Sequence, residues 1–442
     1  MDSAPRSAVE FRSVRDNPWW IPPFMGGVPV GVSADHLRLL GVLTFALFFE
    51  NYDLSVLGNA LPQLAESFGL TKGELGDFAG VTRLGTLPAF LLIPLADRIG
   101  RRRLLLWSVA LMSVGSALTA TSQTATQFVV FQFMTRGFLV SAAIVAVVIL
   151  TEEFPAEYRG WGIGMLAGVS SIGFGLGALV YGMVKVLPFG WRALYLIGLI
   201  PLVLFFWLRD RVTETRRFHL VRSAELAQQG RLRMRPLQPL VALLRGQPRR
   251  ALALGLVGIF SASGVGVSFQ FVSQFLQSER GWSPGLFAAM SISFGALGII
   301  GNLAAGRLAD RFGRRAIAST ALALFPLCAL AFYLGPGPVV AVPWTAMVFL
   351  NMATGVMLRA LTTELFPTAF RSAAGGTQAL LETLGVVAGL AAYSRLMAYF
   401  DHQGLVISLL AFLTLVSAAA IWLVPETARR ELEQISQEEV PT

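Results

Sequence analysis

Long apolar runs dominate this sequence, and they constrain its fold more than any other feature. About twelve of them approach the roughly 20 apolar residues that a helix needs to cross a bilayer. The runs lie at about 37–61, 78–96, 104–121, 126–150, 161–185, 190–208, 250–277, 284–305, 316–334, 338–361, 372–398 and 404–424. Only 14% of the 442 residues are charged, whereas soluble domains carry about 25%. The sequence therefore predicts an all-α integral membrane protein with twelve transmembrane helices in a lipid bilayer.

The charges between the runs divide the chain and predict its orientation. Residues 209–249 form the longest polar stretch, rich in arginine, and separate six runs from six. We therefore expect a tail at 1–36, a six-helix bundle at 37–208, a basic linker at 209–249, a second bundle at 250–424 and a tail at 425–442. Arginines also follow the second and eighth runs, and cytoplasmic loops carry such an excess. Both termini are predicted to be cytoplasmic, in the plasma or inner membrane.

The remaining composition argues against several other classes of protein. The net charge of +9 is attributed to the basic loops rather than to nucleic-acid binding. The three histidines are scattered, and the single cysteine, Cys328, can form no intrachain disulfide. The sequence shows no nucleophile–base arrangement and no phosphate-binding loop. We therefore expect no enzyme activity, no metal and no cofactor, and a monomeric protein.

The segment before the first run is open to two interpretations. It contains Trp19 and Trp20, followed by Ile21-Pro22-Pro23-Phe24, and such aromatic residues favour the membrane–water interface. A disordered tail is the alternative. The segment lacks the basic start and apolar core of a signal peptide.

The two halves of the chain repeat each other. Residues 95–102 (LADRIGRR) match residues 308–315 (LADRFGRR), at an offset of 310 − 97 = 213. Residues 152–155 (EEFP) match residues 364–367 (ELFP), at an offset of 367 − 155 = 212. Two motifs at nearly one offset indicate duplication of a six-helix unit. Parallel repeats of this kind occur in transporters, whose binding site lies between the halves near the membrane midplane.

These repeated loops resemble those of the major facilitator superfamily, which have the pattern G-x-L-A-D-R-x-G-R-R between helices two and three. Gly306 to Arg315 matches it fully, whereas Ile93 occupies the first glycine position of the other copy. The resemblance implies charge-assisted hydrogen bonds between helix ends that bias which side is open. The residues implied in this conformational gating are Asp97, Arg98, Arg101, Glu153, Arg159, Asp310, Arg311, Arg314, Glu364 and Arg371. The alternative is that these charges are solvated and only fix the topology.

Within the superfamily, three further stretches resemble the sugar porters. They are Val212 to Phe218, Val424 to Thr427 with Arg430, and Arg136-Gly137. The substrate motifs of that group are changed here, because Phe260 to Gly266 lacks its amides and Arg359 stands where it has a tryptophan. A hexose site needs several hydrogen-bonding groups, so a sugar is the less favoured substrate. The stretch Glu50-Asn51-Tyr52-Asp53 also resembles the D-G-Y/F-D pattern of aromatic-acid:proton symporters.

Two carboxylates inside the first apolar run need an explanation, because a charge in hydrocarbon costs about 2.5–3.5 kcal/mol on insertion scales. Asp53 and Arg136, in the first and fourth runs, lie roughly 12 and 15 Å from the outer side, and in the family both helices line the central cavity. An adjacent arginine favours the charged carboxylate, whereas desolvation favours the neutral acid. We therefore predict proton coupling by Asp53, Arg136 and Glu50. A permanent salt bridge is the alternative for the pair, and an inward-facing neighbour is the alternative for Glu50.

Other polar residues inside the runs are candidates for substrate contact. Arg83 could form a cationic site with Arg136, or it could neutralise Glu50. The remaining candidates are Gln270, Gln274, Asn351 and Glu382, although amides in such helices often serve interhelical packing instead.

Together these features predict a secondary active transporter that works by alternating access. We expect proton-coupled symport of a small polar metabolite, with an organic anion favoured over a sugar. Proton-driven efflux of a drug or metabolite, or uniport by the same fold, is the alternative. A sensor built on this fold would bind ligand without flux.

Overall fold

The computed structural model describes residues 11–155, 157–203, 205, 209, 214, 248–298, 308–309, 311–365 and 371–427. The first half of the chain forms six helices in sequence. They are α1 (Ala34–Asn59, with a short continuation Leu61–Phe68), α2 (Glu74–Leu84 and Leu87–Ile99), α3 (Arg101–Thr121), α4 (Ala125–Glu153), α5 (Arg159–Gly182) and α6 (Trp191–Ile197 and Ile200–Val203).

The second half follows the same plan. Its helices are α7 (Pro248–Gln270 and Val272–Ser278), α8 (Pro284–Gly298), α9 (Arg314–Leu334), α10 (Ala341–Glu364), α11 (Arg371–Phe400) and α12 (Gln403–Ala411 and Leu413–Ala420). Nine helices in the described ranges are long and apolar enough to cross a membrane, and α6 and α8 are shorter apolar helices. The predicted all-α membrane architecture, twelve helices in two six-helix halves, is confirmed.

Local sequence explains where two of these helices begin. Ser33 accepts a hydrogen bond from the backbone N–H of His36, whose ring contacts the backbone N–H of Ser33 in return. This capping box starts α1 at Ala34, just before the first apolar run. Pro88 lies in the first turn of the second piece of α2, where a missing N–H removes no helical hydrogen bond. The run predicted as one helix is therefore divided into two pieces.

The two halves repeat in their packing as well as in their sequence. α5 crosses α1 so closely that a Cβ added at Gly173 would lie 2.1 Å from the carbonyl oxygen of Phe48. α11 crosses α7 in the same way, with 2.3 Å between a Cβ at Gly385 and the carbonyl oxygen of Ile259. The offset, 385 − 173 = 212, is that of the sequence motifs. Small residues allow such close helix contacts in membranes, so the duplication extends to the helix interfaces.

The segment before α1 is folded against the first half. Ile21 and Val32 are 2% and 0% exposed, and the Trp20 ring lies against a glycine of α1. Trp19 is instead 95% exposed. Residues 11–33 are therefore part of the packed structure, and the disordered alternative does not hold for them.

Candidate functional site

The direction of the helices defines two sides of the molecule. α1 begins and α12 ends on one side, which we call the terminal side, and the opposite side is the far side. Because successive helices alternate in direction, the connections α2–α3, α4–α5, α8–α9 and α10–α11 also lie on the terminal side.

A cavity of about 760 Å³ lies between the two halves. Its volume falls in the range of small-molecule sites, about 300–1,000 Å³. α2 contributes Arg83 and Thr86 to the lining, and the other lining residues belong to α7, α10 and α11. The lining extends from Arg83, near the middle of α2, to Thr362 and Gly375 at the terminal-side ends of α10 and α11. The cavity therefore reaches from the interior of the bundle towards the terminal side.

On the far side, the halves close against each other through polar contacts. Gln277 Nε2 donates to the Tyr181 hydroxyl at 2.5 Å, and Gln63 Nε2 donates to Gln277 Oε1 at 3.2 Å. Lys72 and Glu279 form an ion pair between the halves. These contacts join the far-side ends of α1, α2 and α5 to the short second piece of α7.

Asp53 and Arg136 form a buried ion pair in the first half. Arg136 Nη2 lies 3.7 Å from Asp53 Oδ2, and the side chains are 2% and 7% exposed, respectively. This distance is longer than a hydrogen bond, and neither atom has a hydrogen-bond partner among the described residues. Gln132, one turn before Arg136 on α4, lies beside the Asp53 carboxylate. The fold thus brings together the two residues that sequence analysis paired, and their role in proton coupling stays a prediction.

Glu50 and Arg83 complete a group of four charged residues. Glu50 lies one turn before Asp53 on α1, is half-buried, and interacts electrostatically with Arg136. Arg83 lines the cavity, with its Nη2 3.5 Å from Gln270 Oε1. Within the described ranges no ion pair joins Arg83 to Glu50 or to another carboxylate. Arg83 instead interacts at longer range with Asp53 and Arg136, so it connects the buried pair to the cavity.

The five residues predicted to contact substrate are divided by the structure. Arg83, Asn351 and Glu382 line the cavity. Gln270 borders it through its contact with Arg83. Gln274 is 6% exposed and lies outside the cavity lining.

Glu382 belongs to a polar cluster on the second-half wall that sequence analysis found only in part. Gln378 Nε2 donates to Glu382 Oε1 at 2.9 Å, and the Gln378 side chain also contacts the Thr362 hydroxyl. Arg359 lines the same wall and interacts electrostatically with Glu382. Gln378 and Thr362 were missed, although the spacing of Gln378 and Glu382 places them on one helix face.

Three of the predicted gating residues, Arg101, Arg314 and Glu364, take part in two equivalent ion pairs on the terminal side. Arg101 pairs with Glu152 at 3.2 Å, and Arg314 pairs with Glu364. The offsets are 314 − 101 = 213 and 364 − 152 = 212, as in the sequence motifs. Glu152, the neighbour of the predicted Glu153, is the partner of Arg101, and the aligned motifs already matched it with Glu364.

The other predicted gating residues are placed differently. Arg159 donates from Nε to the carbonyl oxygen of Phe154 at 3.0 Å, and the Arg311 guanidinium lies 5.2 Å from the ring centre of Phe312. Both contacts are local in the chain. Asp310 lies outside the described residues, as do the side chains of Asp97, Arg98 and Arg371.

A glutamate at the end of each half caps that half's third helix. Glu214 Oε1 accepts hydrogen bonds from the first two backbone N–H groups of α3 at 2.9 and 3.2 Å. The Glu426 carboxylate accepts the equivalent bonds from α9 at 2.9 and 3.1 Å. An anion at a helix N-terminus satisfies unpaired donors and interacts favourably with the helix dipole. The motifs after α6 and α12 contained both glutamates, but not this role.

Two six-helix halves that enclose a central cavity, which extends towards the terminal side, and that meet through polar contacts on the far side define a membrane transporter. The chain matches the model of the Major Facilitator Superfamily over residues 43–389 and 254–442. It belongs to this family, whose members are transporters rather than enzymes.

Relatives and solved structures agree with this assignment. The niacin transporter NiaP of Acinetobacter baylyi is 25% identical over 440 aligned residues, covering 90% of this chain and 96% of the relative. The 4-hydroxybenzoate transporter PcaK of Pseudomonas aeruginosa is 27% identical over 305 residues, covering 62% of this chain and 66% of the relative. An inward open structure of the xylose transporter XylE from E. coli is similar with a TM-score of 0.70 at 20% identity, covering 90% and 99% of the two chains. At that identity, the structural likeness shows the fold alone.

Proposed function

We propose that this protein carries a small organic anion together with a proton, by alternating access between its two halves. The observation that carries the proposal is the buried pair of Asp53 and Arg136, 3.7 Å apart, which Arg83 connects to the central cavity. A group that binds a proton therefore lies next to a group that can bind an anion.

The formal charges of the four-residue group favour symport. Glu50 and Asp53 carry two negative charges when ionised, and Arg83 and Arg136 carry two positive charges, so the sum is zero. One added proton leaves a net positive charge in a buried setting, where charges are poorly screened. A carboxylate bound at Arg83 restores neutrality. Proton and organic anion then favour each other's binding, and this linkage is reciprocal.

The geometry of the Asp53–Arg136 pair supports a contact that opens and closes. Arginine and carboxylate form their strongest contacts through short, often bidentate, hydrogen bonds. The distance of 3.7 Å is longer than these, so less energy is needed to separate the two groups when a proton arrives.

The choice of cargo rests on the cavity wall and on the relatives. Arg83 is a cation whose nearest polar contact is the amide of Gln270, so it is available to a carboxylate. Niacin and 4-hydroxybenzoate, named for two relatives, are both aromatic rings that carry one carboxylate. We therefore propose a monocyclic carboxylic acid as the cargo, rather than a sugar.

The far-side contacts and the extension of the cavity towards the terminal side suggest the orientation of this state. With cytoplasmic termini, as the basic loops predict, the cavity faces the cytoplasm and the far-side contacts close the outer entrance. Transport then requires that the contacts among Gln63, Tyr181 and Gln277 break and that the terminal side closes.

The experiment is uptake by the purified protein in liposomes with an imposed pH gradient. Radiolabelled nicotinate and 4-hydroxybenzoate should accumulate on the alkaline side, xylose should not, and a protonophore should abolish the accumulation. Protein-free liposomes correct for passive entry of the neutral acids. Movement of the labelled acid in the direction opposite to that of the protons would favour proton-driven efflux. Flux of the labelled acid that the pH gradient does not alter would favour uniport.

Replacement of Asp53 by Asn tests the coupling residue itself. The variant should lose gradient-driven accumulation but keep exchange of labelled for unlabelled acid, because exchange needs no net proton movement. Asp77→Asn, the same change at an exposed position of α2, is the matched control. Accumulation by Asp53→Asn equal to that by Asp77→Asn would exclude the proton role of Asp53.

A further inference from the structure

The central cavity carries charges of opposite sign on its two walls. Arg83 belongs to α2 of the first half, and Glu382 belongs to α11 of the second half, and both line the cavity. A cargo that binds Arg83 through its carboxylate is not stabilised by a second negative charge in the cavity. The presence of Glu382 therefore requires a separate explanation.

Glu382 is held in place by its neighbours, and one of its oxygens stays available. Gln378 donates to Oε1 at 2.9 Å and is itself held against Thr362 of α10. The side chain also packs on α7, where a Cβ added at Gly258 would lie 3.6 Å from Glu382 Cγ. No donor among the described residues reaches the second carboxylate oxygen.

Small and apolar residues lie beside the polar cluster on the wall around Glu382. Ala262, Val265 and Leu358 line it, and a Cβ added at Gly355 or Gly375 would meet no atom within 4 Å. These positions leave room for a flat ring beside the Glu382 carboxylate. Glu382 is therefore placed to form a hydrogen bond with a substituent on the ring.

We infer that Glu382 makes the site selective for organic acids that carry a hydrogen-bond donor at the end remote from their carboxylate. This inference rests on the proposed function, because it assumes that the cargo carboxylate binds at Arg83. An ionised carboxylate can only accept hydrogen bonds, and a protonated one can also donate. A hydroxyl or a protonated ring nitrogen satisfies the free oxygen, whereas a carbon-bound fluorine or hydrogen leaves it unpaired.

A pair of ring acids of similar shape tests the inference on the wild-type protein. 4-Hydroxybenzoate carries the donor, and 4-fluorobenzoate has a substituent of similar size without one. 4-Hydroxybenzoate should inhibit the uptake of labelled nicotinate about tenfold more strongly than 4-fluorobenzoate does, as expected for one hydrogen bond to a charged group. Equal competition by the two acids would overturn the inference, and this measurement needs no variant to fold.

Substitution assigns the preference to Glu382. In Glu382→Leu the ratio between the two acids should fall to about one, and in Glu382→Gln, which keeps an acceptor, it should take an intermediate value. Glu66→Gln, at an exposed position near the far side, is the control and should keep the wild-type ratio. A ratio that Glu382→Leu leaves unchanged, or an equal loss of both acids, overturns the inference while the proposed function stands. If the wild-type protein transports neither nicotinate nor 4-hydroxybenzoate, the proposed function itself fails.

Discussion

The two halves of this transporter share one arrangement of helices but bury different charged side chains. At the offset that aligns Phe48 with Ile259, 259 − 48 = 211, Asp53 corresponds to Gly264. At the offset of 212, Arg136 corresponds to Val348. The ion pair of the first half thus has apolar or small counterparts in the second half.

The converse holds for the cavity wall. At the same offset Glu382 corresponds to Ser170 of α5, and all but two of the cavity-lining residues belong to the second half. The helix crossings are alike in the two halves, and close packing tolerates little change, whereas the interior charges differ. Under the proposed function, this difference corresponds to a division of roles, with proton binding in the first half and most cavity contacts of the cargo in the second.

The largest effect is expected from breaking the ion pair of the first half. Arg136→Leu leaves Asp53 buried without its partner, and removing one partner of a buried pair costs about 3–5 kcal/mol. The double variant Asp53→Asn, Arg136→Leu should recover part of this loss, because it no longer leaves the Asp53 carboxylate without its partner. The free energy of unfolding in lipid–detergent micelles measures both.

The exposed pair Asp35–Arg38 provides the control for that experiment. Arg38→Leu should barely change the stability, because surface pairs contribute little. If Arg136→Leu is no more harmful than Arg38→Leu, the buried charges do not distinguish the halves.

A smaller effect is expected from filling the second-half wall. Gly355→Leu places a side chain in open cavity space, so uptake should fall about a hundredfold, equivalent to about 2.7 kcal/mol, while thermal stability stays near that of the wild type. Gly160→Leu, at a terminal-side position with no atom within 4 Å of an added Cβ, should transport normally. Normal uptake by Gly355→Leu would show that cargo does not pass along this wall.

The smallest effect is expected from crowding the close helix crossings that the two halves share. Gly173→Ala and Gly385→Ala each place a Cβ too close to a carbonyl oxygen, so each should lower the free energy of unfolding by about 1–3 kcal/mol. Gly175→Ala, in the same helix as Gly173 but with nothing within 4 Å, should be neutral or stabilising because alanine is the better helix former. A loss at only one of the two crossings would mean that the halves differ in packing as well as in charge.

The architecture could be predicted from the sequence because its signals are local. Apolar runs of bilayer length give the helices, and two motifs at nearly one offset give the duplication. Side-chain contacts between helices are a different matter. They depend on how each helix is rotated about its axis, and a membrane helix that is apolar all round gives little indication of this.

Two examples show where that limit lies. Gln270 and Gln274, four residues apart, were both candidates for substrate contact, but α7 is interrupted at Phe271 and, of the two, Gln270 contacts Arg83. Glu152 and Glu153 are neighbours that point about 100° apart, and the residue types alone do not indicate that Glu152 pairs with Arg101, as the structure shows. Both outcomes were decided by helix geometry that the amino-acid types do not specify.

The caps formed by Glu214 and Glu426 have a consequence for how such a protein can be assembled. Each carboxylate belongs to the end of one half and binds the third helix of the same half, so neither half needs the other to fasten its last segment. Each is a self-contained module, joined to its twin by a single covalent connection. Two such modules made as separate polypeptides are therefore expected to associate into a working carrier.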